Sequence, residues 1–138
     1  MAYRVKKVNY CYVKTSSRAG QGIKVLNALK DAGVNLLAFS GFPIKGGKSQ
    51  IDLVSDNITG IKKVAKANDW RLSKTKKGFL VQGRDEIGAI QKVLNRLAEK
   101  NISVIAASAV GVGTGRYGMI MWVNPKNYNR AARALNAK

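Results

Sequence analysis

Two loops carry the residues best suited to holding a charged small molecule. Arg18-Ala19-Gly20-Gln21 and Glu86-Ile87-Gly88-Ala89 each stand where an apolar strand pattern gives way to a helical one. The first N–H groups of a helix lack intrahelical partners and lie at its partly positive end, so they can hold a carboxylate. A glycine there leaves no Cβ between ligand and backbone. Such a glycine could equally serve only the turn; its recurrence in both loops favours the ligand reading. Arg18 could add a carboxylate contact or stand solvated.

Catalysis finds little support. Histidine, the commonest general base and metal ligand, is absent. Cys11 alone cannot build a metal site, and within the apolar run NYCYV it reads as a small buried core residue. The seven acids are scattered, and Asp85-Glu86 are loop neighbours suited to solvent. GGKS at 46–49 matches the end of a phosphate-binding loop. The first glycine of that motif would fall at Phe42, and a strand follows where a helix is required. GVGTGRYG at 111–118 looks like a dinucleotide loop but lies between two strand patterns and reads as a hairpin tip. The chain is expected to be no enzyme, with no metal and no cofactor.

The elements that must position the two loops are written twice. Residues 24–40 return 68 positions later as residues 92–108, with seven of seventeen identical. A period that long suits a complete small α/β module rather than a solenoid repeat. The first unit reads as strand 9–15, helix 21–32, strand 34–39, a hairpin loop GFPIKGGK, strand 50–55, a helix capped by Asn57 or Thr59 and reaching Ala67, and a short strand 70–73. This order, βαββαβ, is ferredoxin-like. The second unit reads as strand 79–83, helix 89–99, strand 102–107, strand 119–124 and helix 125–136, with no room for a final strand. Residues 3–7, YRVKK, align with residues 70–74, WRLSK. Either each unit folds its leading strand back beside its own first strand, or the strand at 3–6 crosses to complete the second unit. Lys6-Lys7 lacks the Gly, Asn or Asp of a tight turn, which favours crossing. The expected division is 1–74 and 75–138, with residues 3–7 lent to the second sheet.

With the repeat in view, the loop–helix–strand segments SSRAGQG…DAGVNLLAF and RDEIGAI…EKNISVIAA resemble the ACT domain, a small regulatory module of amino-acid biosynthetic enzymes. The resemblance covers nearly the whole chain. Two positions depart from the family pattern: the usual proline before the glycine is Ala19 in one copy and Ile87 in the other, and the polar residue of the second strand is Asn35 in one and Ser103 in the other. The resemblance implies an α+β fold of two tandem ferredoxin-like ACT units packed as one pseudo-symmetric body and paired through their second strands. It further implies a non-catalytic protein that binds an amino acid or similar carboxylate where one unit's glycine loop meets the neighbouring unit's second strand. The implied ligand residues are Arg18, Ala19, Gly20, Gln21, Asn35 and Leu36, and Glu86, Ile87, Gly88, Ala89, Ser103 and Val104. Asp85 or Glu86 could receive the amino group.

Charge supplies the rival reading. Twenty-five Lys and Arg against seven acids give +18, spread over the whole chain. Such a balance favours contact with anionic partners, and RNA-recognition motifs share the βαββαβ order. Their stacking positions fall here on Leu80 and Met119, where aromatics are wanted, so nucleic-acid binding ranks second. Tyr10, Tyr12, Ile120 and Trp122 share the helix-free sheet face by alternation; their exposure would make a homodimer surface. A lone cysteine, the absence of a long apolar run and the lack of a signal-peptide pattern point to a cytoplasmic protein off the membrane.

Overall fold

A single strand of fourteen residues, β1 (Tyr3–Ser16), opens the computed structural model, which describes residues 3–138. Lys6-Lys7 does not break it. Val5, Val8, Cys11 and Val13 are buried along its length while Lys6, Lys7 and Lys14 stay in solvent. The remaining elements are α1 (Gln21–Asp31), β2 (Ala38–Ile44), β3 (Lys48–Ser55), α2 (Ile58–Ala67), β4 (Lys76–Arg84), α3 (Ala89–Glu99), β5 (Val104–Gly111), β6 (Arg116–Val123) and α4 (Tyr128–Ala134). The fold is α+β, with antiparallel strands and four helices. Packing divides the chain into two compact bodies. The first is Asn9–Lys76; the second is the chain up to Val8 together with Lys77–Lys138.

In the first body the strand order is β2-β3-β1. Val13 pairs Ile51, which pairs Gly41. Val25 and Leu29 of α1 and Ile61 and Val64 of α2 pack on Val13, Ile51 and Leu53. Asn57 caps α2, its side chain accepting from the Gly60 amide at 2.9 Å. The fourth strand expected at 70–73 is reduced to one bridge between Leu72 and Val13, supported by the Ser73 amide donating to the Tyr12 carbonyl at 2.9 Å.

The second body has the order β1-β4-β6-β5 and uses only the Tyr3–Val8 part of β1. Its register copies the first: Val81 pairs Met119, which pairs Ala109. Each of these residues lies 68 positions beyond its counterpart, as do both ends of α3 relative to α1. Phe79 stacks on Tyr128 with ring centroids 4.6 Å apart, and the Tyr128 hydroxyl donates to the Gly78 carbonyl at 3.1 Å. Val5 belongs to this core, and the Lys138 amide donates to the Val5 carbonyl at 3.0 Å. The single helix expected at 125–136 is a 3-10 turn, Pro125–Asn127, leading into α4. Asn124 causes the step by accepting from the Lys126 amide through its side chain.

All four helices stop by one device. The residue after the C-cap is left-handed (Gly33, Asp69, Asn101 or Asn136), and the amide beyond it returns to a carbonyl one turn back. Only Gly33 adopts this conformation without a Cβ penalty.

Three expectations need correction. The second strand of each unit starts later than the pattern 34–39 or 102–107 indicated, at Ala38 and Val104. The apolar residues Val34 and Ile102 instead seal the helix ends, their amides bonding Leu29 and Leu97 carbonyls at 2.9 Å. Nor do β2 and β5 pair with one another: each stands at an end of its strand order, bonded to β3 or β6 alone. Finally, Ile120 and Trp122 are buried, so with Tyr10 and Tyr12 half-buried there is no open aromatic face.

Candidate functional site

In the first body the Ser16–Gly20 turn joins β1 to α1, and its shape follows from serine chemistry. The Arg18 amide donates to the Ser16 hydroxyl at 3.2 Å, Ser17 Oγ meets Ser49 Oγ at 3.0 Å, and the Ser17 amide reaches the Gly47 carbonyl at 2.9 Å. Gly20 then enters the helix left-handed, at φ 86°. Its counterpart Gly88 does the same at φ 80°. The Gln21 and Ala89 amides turn back onto the Arg18 and Glu86 carbonyls at 3.2 and 3.1 Å. The first N–H after each glycine is therefore already satisfied; a ligand must use others.

Beside this turn opens a cleft of about 290 Å³. It is lined by Thr15, Ser16, Ser17 and Arg18 at the end of β1 and the turn, by Gly22 of α1, by Ser49 and Ile51 of β3, and by Phe39, Gly41, Phe42 and Pro43 of β2. Phe39 and Phe42 are 47% and 42% exposed, unusual for phenylalanine and here explained by the cavity they border. The lining offers one guanidinium, several hydroxyls and the Phe39 ring, but no carboxylate. It can ion-pair an anion and cover an apolar group.

Among the sequence-derived candidates, Arg18 lines this cleft, with Ala19, Gly20 and Gln21 next to it in the turn. Asn35 and Leu36 were expected on the second strand but precede it. The Asn35 carbonyl accepts from Ser55 Oγ at 2.7 Å, which holds that connection in place. In the second body Glu86 Oε1 is engaged by Lys92 Nζ at 3.0 Å in an exposed ion pair. Ile87 projects fully into solvent, Gly88 caps α3, and Ala89 is buried. Ser103 lies just before β5 and Val104 begins it. Sequence reasoning missed Phe39, Phe42, Pro43 and Ser49. The signal was the alternation of Phe39, Gly41 and Pro43, which runs from the end of a segment read as strand into one read as loop because of its glycines and proline.

A second recess, also about 290 Å³, lies among Lys100, Arg130, Arg133 and Ala134 of the second body. Arg130 donates to the Lys100 carbonyl at 2.6 Å, and Arg96 to the Ala134 carbonyl at 3.3 Å. These are the C-terminal ends of α3 and α4, where cations are favoured.

No family model matches the chain, and no curated protein does. Solved structures match throughout its length. A protein of Bacteroides thetaiotaomicron superposes with TM-score 0.76 at 16% identity, covering 99% of this chain and 90% of that one. The regulatory subunit of aspartate kinase from Thermus thermophilus gives TM-score 0.67 at 11% identity, covering 99% and 95%. A putative C-terminal regulatory domain of aspartate kinase from Porphyromonas gingivalis gives 0.60 at 15%, covering 98% and 94%. The chain shares the fold of these aspartate kinase domains, the ACT fold. At these identities the likeness carries architecture. The ACT fold by itself leaves the ligand and partner open, so the cleft must supply them.

Proposed function

We propose that this chain is a non-catalytic regulatory protein. Two ferredoxin-like ACT units, the first within residues 1–74 and the second within 75–138 with residues 3–7 completing its sheet, form a pseudo-symmetric pair. It binds a small carboxylate, an amino acid by class, beside the turn between β1 and α1. The observation that carries this reading is the cleft at Arg18: a guanidinium next to hydroxyls and the half-exposed Phe39 ring. Binding acts by favouring one assembly state of the chain, or its contact with a separate partner, through a difference in affinity between the two states. The assembly is proposed to be a homodimer.

A thermal-shift screen of the twenty amino acids and their 2-oxo acids is the test. At 100 times its Kd a ligand stabilises by about 2.7 kcal/mol, an easily read shift. Arg18→Ala is expected to remove it. Gly20→Val would be a poor probe, because a branched residue at φ 86° strains the backbone whatever the ligand does. A screen in which no carboxylate shifts the transition would end this reading.

A further inference from the structure

The two bodies are copies, yet their corresponding turns have different surroundings. Ser49 lines the cleft of the first body, flanked across the sheet by Thr15 and Pro43. The residue in the same register of the second body is Tyr117, flanked by Gly83 and Gly111. Tyr117 is only 5% exposed and packs with Ala89 and Val93 of α3. A large ring between two glycines fills the space that a serine between Thr and Pro leaves open. Its hydroxyl is buried without a hydrogen-bond partner, a cost that marks the ring as packing material. Two further exchanges act in the same direction. Gly22, which lines the cleft, corresponds to Ile90, and Arg18 corresponds to Glu86, an anion where a carboxylate would need a cation.

Resting on the regulatory reading above, we infer that the chain holds one ligand site rather than two. The cleft of the first body takes a carboxylate with an apolar side chain, and its counterpart in the second body is closed by Tyr117. Ligand class follows from the lining. Arg18 supplies one positive charge for one carboxylate, and Phe39, on the same sheet face as Gly41 and Ser49, covers an apolar chain. With no Asp or Glu in the wall, a side-chain ammonium would be desolvated without a partner. Leucine and phenylalanine, or the corresponding 2-oxo acids, fit; lysine and arginine do not.

The second body itself supplies the test substitutions, with Ile90 and Tyr117 at the corresponding places. Gly22→Ile meets Ile51 Cδ1 at an ordinary 3.7 Å from its new Cβ, and Ser49→Tyr puts a ring in the register of Tyr117, here between Thr15 and Pro43. Titration calorimetry with L-leucine, L-phenylalanine and L-lysine on the full chain is expected to show one leucine or phenylalanine per chain and no lysine. Each of Gly22→Ile and Ser49→Tyr should weaken binding at least tenfold with the circular dichroism spectrum retained. Tyr117→Phe, which keeps the ring and removes the unpartnered hydroxyl, should leave the affinity unchanged. Two ligands per chain, binding that survives both cleft substitutions, or preference for lysine would overturn this inference while leaving the regulatory reading intact. Silence of every carboxylate would remove both.

Discussion

Asp52 shows how one residue can work against the fold around it. It sits on β3 opposite Tyr12 and Ser40, only 7% exposed, with Gln50 Nε2 donating to Oδ1 at 3.0 Å. Burial pushes its carboxyl above the ordinary range, and the Gln50 bond and the charge of Lys76 offset part of that. Nearby, burial and then the Asp52 charge push the Tyr10 hydroxyl up to about 12. A folded pKa above the unfolded value of about 3.9 means that the native state holds the proton more tightly. The stability gained by protonating Asp52 is therefore full below the unfolded pKa and lost as pH rises through the folded one. Asp52→Asn is expected to raise the melting temperature at pH 7, with the gain shrinking to nothing as pH falls through the carboxylate range. A constant difference across pH would show that the charge is not the cause.

At the scale of elements, the two outer strands are protected unequally. β2 carries Pro43, which an edge tolerates because the missing N–H need not face a neighbour. In β5 and its approach, residues 102–115 contain no charge and no proline, while Ile105 and Val110 are 63% and 62% exposed. An apolar edge without such guards invites a second strand, so β5 is where self-association should occur. Val110→Lys is expected to weaken it about tenfold, equivalent to ~1.4 kcal/mol, as read by sedimentation velocity; an unchanged mass distribution would place the contact elsewhere. The same strands explain what was legible in the sequence. Helices α1 and α3 fall within a residue of expectation, because apolar spacing and the flanking Gly20, Gly33 and Gly88 leave few alternatives. β2 was displaced because Val34 and Ile102 look like strand residues when read locally, whereas their role is to close a helix end. Phe39 and Phe42 could not be seen as cleft walls, since which side of a strand faces a cavity depends on register with β3.

For the molecule as a whole, the charge of +18 is widely dispersed, but Lys100, Arg130 and Arg133 gather round one recess with Arg96 beside it. The corresponding positions of the first body are Ala32, Lys62, Ala65 and Ala28, so the basic grouping belongs to one copy only. Polyanions should bind weakly and chiefly through phosphates, with affinity falling steeply between 50 and 200 mM salt. Arg133→Ala is expected to lower the slope of log K against log salt by about one. Tight binding of a short RNA at 200 mM salt would instead demonstrate base recognition. Sequence alone could count these charges but not gather them, because they come from the end of one helix and the side of another.

β1 has a consequence for the order of events during synthesis. Asn9–Lys76 contains every strand of its own body, so that body can close while the rest of the chain is still being made. The leading residues Tyr3–Val8 must wait, because their partners are β4 and, through Val5 and Lys138, the opposite terminus. Such a long-range closure has a high contact order and is slow. It also leaves an unpaired nascent strand exposed to chaperones and neighbouring chains until β4 and the core around it have been made. The chain carries its own clock for this sequence, since Trp70 lies in the body that closes early and Trp122 in the one that closes late.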